Sequence, residues 1–147
     1  MAKHTKEPQC PSCLEKLVGA HLAMRDWFLW VKSMHPEAHV SCAFRDQAKQ
    51  REEYIAGRSK LDWPMSKHNY IQEGQPCSLA LDIFLINAEG KAVFSAEWCR
   101  QIYELTLEEK YPIKWGGNFT TLKDYVHFEL DEQFSQTQAL QRIEDAH

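Results

Sequence analysis

The segment Leu79-Ala80-Leu81-Asp82-Ile83-Phe84-Leu85-Ile86 constrains this chain more than any other, because it is an apolar run interrupted by one carboxylate. A short run of this kind, closed by the turn residues Asn87-Ala88-Glu89-Gly90, predicts a buried central strand. Period-two alternation then puts Ala80, Asp82 and Phe84 on one face and Leu79, Leu81 and Ile83 on the other. An unpaired charge inside such a strand carries a heavy desolvation cost. Asp82 must therefore face water, pair with a cation such as Lys or Arg, or bind a metal.

Helices and further short strands surround that segment. Between residues 14 and 34, Leu14, Leu17, Val18, His21, Leu22, Met24, Phe28, Leu29 and Val31 recur at spacings near three and four, which predicts one helix. His35-Pro36 ends it, since the residue before proline avoids the helical region. Residues 39–45 alternate as a strand does, and Asp46 can cap a helix over 47–56 that stops at Gly57. Residues 58–65 and 69–77 read as loops, the second broken by Gly74 and Pro76. Ser95 is placed to cap a helix over 95–109 with Trp98, Ile102 and Leu105 on its buried face. Short strands follow at 113–115, ending in Gly116-Gly117, and at 126–130, and an amphipathic helix is expected from 135 onward. Residues 1–12, polar and Pro-containing, read as a loose lead-in. The expected fold class is α+β, with helices packed on one small, mainly antiparallel sheet, in a single domain spanning residues 1–147.

Composition excludes several functions. The formal net charge of −4 and the lack of a basic cluster argue against a nucleic-acid partner. No apolar run approaches the ~18 residues of a membrane span, so no membrane insertion is expected. The first residues lack the apolar stretch of a secretory signal, so synthesis is expected in the cytoplasm. Five cysteines, an odd number, disfavour a disulfide framework. Cys10-Pro-Ser-Cys13 has the gap of a zinc knuckle or a redox pair, but no second ligand pair of similar spacing follows, and the expectation is two reduced thiols. His4, His21, His35, His39 and His147 lack a neighbouring carboxylate pattern and receive no role, while Trp115 and Tyr125 are expected to wall a cleft.

His127 lies between Val126 and Phe128 in an apolar strand, with Asp124 three positions earlier across a short turn. His68, next to Ser66, adds a second imidazole, and Gly116-Gly117 would let the backbone approach a ligand closely. Two imidazoles and one carboxylate suit a catalytic zinc, which needs three protein ligands, an open position for water and a base beside that water. The same trio also forms the facial triad of non-haem iron enzymes.

In order along the chain, Ser66-Lys67-His68-Asn69, Ser78-Leu79-Ala80-Leu81-Asp82, Trp115-Gly116-Gly117 and Asp124-Tyr125-Val126-His127-Phe128 resemble the zinc D-alanyl-D-alanine carboxypeptidases. They look most like the bacteriophage L-alanyl-D-glutamate endopeptidase endolysins. Phe44-Arg45 with Gln50 matches the family's Arg-plus-Gln signature, so the resemblance spans about residues 39–130. It implies one Zn2+ held by His68, Asp82 and His127 on the sheet face. Asp124 would be the general base, and Arg45 would steady the oxyanion or a substrate carboxylate. Ser66 and Gln50 would shape the substrate site and hold supporting hydrogen bonds behind it, and Trp115 would wall the substrate cleft. The implied activity is hydrolysis of a peptidoglycan stem-peptide bond next to a D-residue, of carboxypeptidase or endopeptidase type, by a monomer acting on the cell wall during phage lysis. A non-catalytic wall-binding module and an iron enzyme are the alternatives. Two departures stand out. The link from His68 to Asp82 is fourteen positions, longer than the family's usual one, so residues 69–77 could form a lid. Ser78 replaces a customary glycine, which raises the question of backbone strain.

Overall fold

A computed structural model describes residues 3–5 and 10–131 of the chain; the helix expected from residue 135 lies outside the described residues. The elements are α1 (Pro11–Leu17), α2 (Leu22–Met34), β1 (Ala38–Cys42), α3 (Gln47–Ile55), β2 (Ile71–Gln72), β3 (Gln75–Pro76), β4 (Ala80–Ile86), β5 (Ala92–Val93), α4 (Ala96–Glu108), β6 (Ile113–Trp115) and β7 (His127–Leu130). The main sheet runs β1-β4-β7-β6, with β5 on β4, and every pairing is antiparallel. This is the α+β architecture expected, and the Asp82 segment is the inner strand that pairs with three others.

Alternation along β4 divides its side chains as anticipated. Leu81 and Ile83 join Phe128 and Leu130 of β7 in a core with Trp27 and Phe28 of α2 and Ile102 of α4. Trp27 packs against Phe128 with ring centroids 5.0 Å apart and planes tilted by 33°, and its indole N–H donates to the Thr106 hydroxyl of α4 at 3.1 Å. These contacts clamp both long helices to one sheet face. The opposite face carries Asp82, and the register sets it directly across from His127. Two residues 45 positions apart in sequence thus become cross-strand neighbours.

The helix expected over 14–34 is two helices. At the break, Ser78 donates its N–H to Gly19 O (2.8 Å) and accepts from His21 N–H (2.9 Å), so residues 19–21 exchange helical bonds for bonds to the chain leading into β4. The His21 ring then accepts from Ala23 N–H and caps α2. A Cβ on Gly19 would stand 3.0 Å from the Phe44 Cβ, which favours glycine at this crossing. Val18 is left exposed, although periodicity assigned it to the buried stripe.

Three other expectations change. The lengthened link is not a bare loop: β2 and β3 form a hairpin turning at Glu73 and Gly74, both at positive φ, as a two-residue hairpin turn requires. It packs beside His21 and Arg25, away from the cleft lined by Arg45, His68, Asp124 and His127, and so does not serve as a lid there. Ser78 is not strained, because the positive-φ non-glycine positions among the described residues are Glu73 and Lys110. Finally, Cys10 is fully buried and α1 begins directly after it, within the stretch read as a loose lead-in.

The turn after β6 shows why glycine is needed at position 116. A Cβ there would lie 2.2 Å from the Asp124 carbonyl oxygen and 3.1 Å from the His127 Cβ. Gly116 O in turn accepts from Asp124 N–H at 3.0 Å. The close approach is therefore to the chain that carries Asp124 and His127, not to a ligand. Gly116→Ala is expected to cost about 1–3 kcal/mol of unfolding free energy, at the upper end if the turn cannot shift, as read from denaturant midpoints.

Candidate metal centre

His68 sits on a 3-10 turn, Lys67–Asn69, that its neighbours hold at both ends. Ser66 Oγ accepts from His68 N–H at 3.2 Å, and Asn69 Oδ1 accepts from Ser66 N–H at 3.1 Å, forming a reciprocal cap. The turn is tied to the end of β1 because Arg45 N–H donates to His68 O at 2.9 Å. Asp82 comes from the middle of β4 and His127 from the first position of β7.

These three side chains converge. His68 Nε2 lies 3.2 Å from His127 Nδ1, and each lies 3.3 Å from Asp82 Oδ1. Ligand atoms about 2.0–2.2 Å from a tetrahedral cation stand roughly 3.3–3.5 Å from one another. The triangle therefore has the dimensions of three corners of a metal tetrahedron. Asp124 brings a carboxylate oxygen within 4.8 Å of Asp82 and His127 without entering the triangle.

The remaining ring nitrogens define the tautomers. His68 Nδ1 lies 2.7 Å from Ala43 O, and because a carbonyl can only accept, Nδ1 carries a proton and Nε2 is the nitrogen that would offer its lone pair to a cation. His127 Nε2 lies 2.8 Å from Glu129 Oε1, which leaves its Nδ1 lone pair toward Asp82. Glu129 is itself held by Lys67 Nζ at 2.7 Å. A carboxylate behind a metal-facing histidine fixes the ring and raises its basicity. Sequence reading missed Glu129 and Lys67, although Glu129 lies two positions after His127 and so shares its strand face. Cys42 Sγ approaches His68 Nδ1 at 3.8 Å and lies within 4.8 Å of an Asp82 carboxylate oxygen, beside the triangle.

Arg45 reaches the site as expected, with Nη2 3.6 Å from Asp82 Oδ2. Gln50 anchors it by accepting from Arg45 Nη1 at 2.9 Å. Gln50 takes the supporting hydrogen-bond role expected of it rather than a direct substrate contact, and Trp115 departs from its expected place at the cleft. Gln50 is fully buried and spends its amide on Arg45, Asn69, Ser59 and Leu61, so it positions Arg45 and meets no ligand. Trp115 is a core residue: it stacks on Tyr103 and Phe128, donates its indole N–H to Tyr125 O at 2.7 Å, and with Tyr125 lies outside the cleft. A cleft of about 380 Å³ opens over the triangle, lined by Arg45, Ser66, His68, Asp124 and His127 and by the cations Arg58 and Lys60.

Charge is divided sharply among the carboxylates. Burial works to raise Asp82, but His68 and His127 outweigh it and hold the carboxyl far below the usual range. Asp124 goes the other way: burial raises its pKa and the nearby Asp82 charge adds to this, against the pull of His127, His68 and Arg45. Glu129 is also buried, yet His127 and Lys67 bring it down to about 2. Both imidazoles are raised despite burial, because the Asp82 charge draws protons to the nitrogens that face it.

Residues 62–130, the span holding all four groups, match the family model described as D-alanyl-D-alanine carboxypeptidase. This is the peptidase family that the motifs resemble. Among solved structures, the crystal structure of Serratia marcescens L-Ala D-Glu endopeptidase ChiX is similar to this chain, at 25% sequence identity and a TM-score of 0.68, over 87% of this chain and 91% of that one. No helix among the described residues is long and apolar enough to cross a membrane.

Glu129→Gln is expected to weaken metal binding about 10–100-fold while leaving the fold intact, as measured by competition with a chromophoric chelator. Protons and metal compete for His68 and His127, whose pKa values the Asp82 charge raises, His68 to about 10, so affinity should fall as pH drops below about 10. The same competition assay reads that trend.

Proposed function

We propose that this protein is a zinc-dependent peptidase that hydrolyses peptidoglycan stem peptides at a bond next to a D-residue. The observation that carries the reading is the Nε2, Nδ1 and Oδ1 triangle of His68, His127 and Asp82, at 3.2–3.3 Å, with a fourth group, Asp124, just outside it. The family match and the likeness to an L-Ala D-Glu endopeptidase support the reaction and its polymer substrate.

A bound zinc supplies Lewis acidity, which polarises a carbonyl and acidifies water. The chain's own groups do the rest. Asp124 takes a proton from the attacking water and returns it to the leaving amine. Its raised affinity for protons suits that exchange. Arg45, held by Gln50 at the cleft wall, steadies the developing oxyanion or a substrate carboxylate with its planar two-donor fork. Lys60 adds positive charge to the cleft, which suits an acidic peptide, while Arg58 beside it is paired with Glu53. A base beside the triangle favours hydrolysis over oxygen chemistry, where the two-histidine-one-carboxylate trio works without one. We further assign the chain one catalytic domain acting as a monomer, and on the motif resemblance to endolysins we place it in phage lysis.

Purified peptidoglycan digested with and without a chelator, followed by mass analysis of the fragments, tests the activity and its bond. Chelator-insensitive cleavage or intact stem peptides would overturn the reading. Asp124→Ala should lose about 10²–10⁴-fold in rate while its metal content stays at the wild-type level. Unchanged rate in that variant would remove Asp124 as the base, and a wild type that binds peptidoglycan without cleaving it would mark a binding module instead.

A further inference from the structure

A second cluster of metal-ligating side chains lies apart from the cleft. Cys10 and Cys13 flank the start of α1, His39 lies on β1, and His4 comes from the segment preceding α1. Their donor atoms close on one another: His4 Nδ1 to His39 Nδ1 is 3.1 Å, Cys10 Sγ to each of these nitrogens is 3.6 Å, and Cys13 Sγ lies 3.8 Å from His4 Nδ1 and 3.6 Å from His39 Nδ1. With zinc–sulfur bonds of about 2.3 Å and zinc–nitrogen bonds of about 2.0–2.1 Å, a tetrahedral site separates S from N by roughly 3.5–3.6 Å and N from N by roughly 3.3–3.4 Å. We propose that His4, Cys10, Cys13 and His39 form a structural Cys2His2 zinc site.

The surroundings are built for ligands. Cys10 Sγ accepts from Thr5 N–H at 3.3 Å and Cys13 Sγ from Val40 N–H at 3.4 Å, bonds that stabilise thiolates. His4 Nε2 donates to Ser12 Oγ at 3.3 Å, which leaves its Nδ1 lone pair toward the sulfurs. Lys32 Nζ stands 3.5 Å from His39 Nδ1, but its three protons go to the carbonyls of Thr5, Pro36 and Ala38, each at 2.8 Å. The His39 Nδ1 lone pair is therefore left without a strong donor. Two thiolates neutralise a divalent zinc, so the ammonium beside them faces no net positive charge. Cys10, Cys13 and His39 are all buried, and four protein donors leave no open position, the mark of a structural rather than a catalytic site.

The site would pin the start of the chain to β1, the outer strand of the sheet. That strand leads through Ala43, whose carbonyl orients His68, to Arg45. The inference does not depend on the catalytic reading, because the two centres share no ligand.

Metal analysis and cobalt substitution of the full chain test it. The wild type should carry roughly two zinc ions, and its cobalt form should show tetrahedral d–d bands with thiolate-to-cobalt charge transfer. Cys10→Ser with Cys13→Ser should remove the charge-transfer band and one ion, whereas His68→Ala should remove one ion and keep the band. His39→Cys, which keeps four ligands, should retain the metal with stronger charge transfer, and it covers the case in which the double serine variant fails to fold. One ion in the wild type with no thiolate band would overturn the proposal. So would a band that survives loss of both cysteines, which would trace it to Cys42, or a Cys10–Cys13 disulfide in protein handled under reductant. Loss of the His68-dependent ion alone would strike the catalytic reading and leave this one standing.

Discussion

The buried charge of Asp82 is the constraint around which the site face is organised. A carboxylate in the middle strand of a small sheet is tolerated only with positive partners. Here two imidazoles share one of its oxygens and a guanidinium approaches the other. Each partner is secured in turn: His68 by Ala43 O, His127 by Glu129, Glu129 by Lys67, and Arg45 by Gln50. A cation among the three donors would replace the protons that Asp82 otherwise attracts.

The same arrangement separates the two aspartates by environment. Asp82 lies between imidazoles and stays ionised, whereas Asp124 is buried near that charge and holds its proton more readily. Two carboxylates pushed in opposite directions by their surroundings can take different tasks, one as a ligand and one as a base. The Gly116 turn keeps Asp124 in place, since its backbone bonds Asp124 N–H and leaves no room for a side chain.

Much of this was legible along the chain, and the failures have physical causes. Alternation around Asp82 identified the inner strand and its polar face because period two follows from strand geometry alone. The Asp46 and Ser95 caps were found because a side chain bonding a backbone three residues on is a local event. The break at Gly19 was hidden because the bonds that compensate it come from Ser78, 59 residues away. Trp115 was misplaced because aromatic side chains serve cores and clefts equally well, and only the stacking with Tyr103 and Phe128 decides between them. Glu129 needed knowledge of which His127 nitrogen faces the triangle, and Cys10-Pro-Ser-Cys13 seemed to lack partners because its histidines arrive from separate segments.

By itself the sequence determined which residues could carry metal chemistry, the strand that holds one of them, and the local caps, because these depend on side-chain type and on periods of two or a few residues. Only the tertiary structure decided that Asp82 faces His127, which imidazole nitrogens are free, and that His4 and His39 close around two cysteines. Those are outcomes of strand register and chain crossing, which bring together groups whose separation along the chain carries no information about their distance in space.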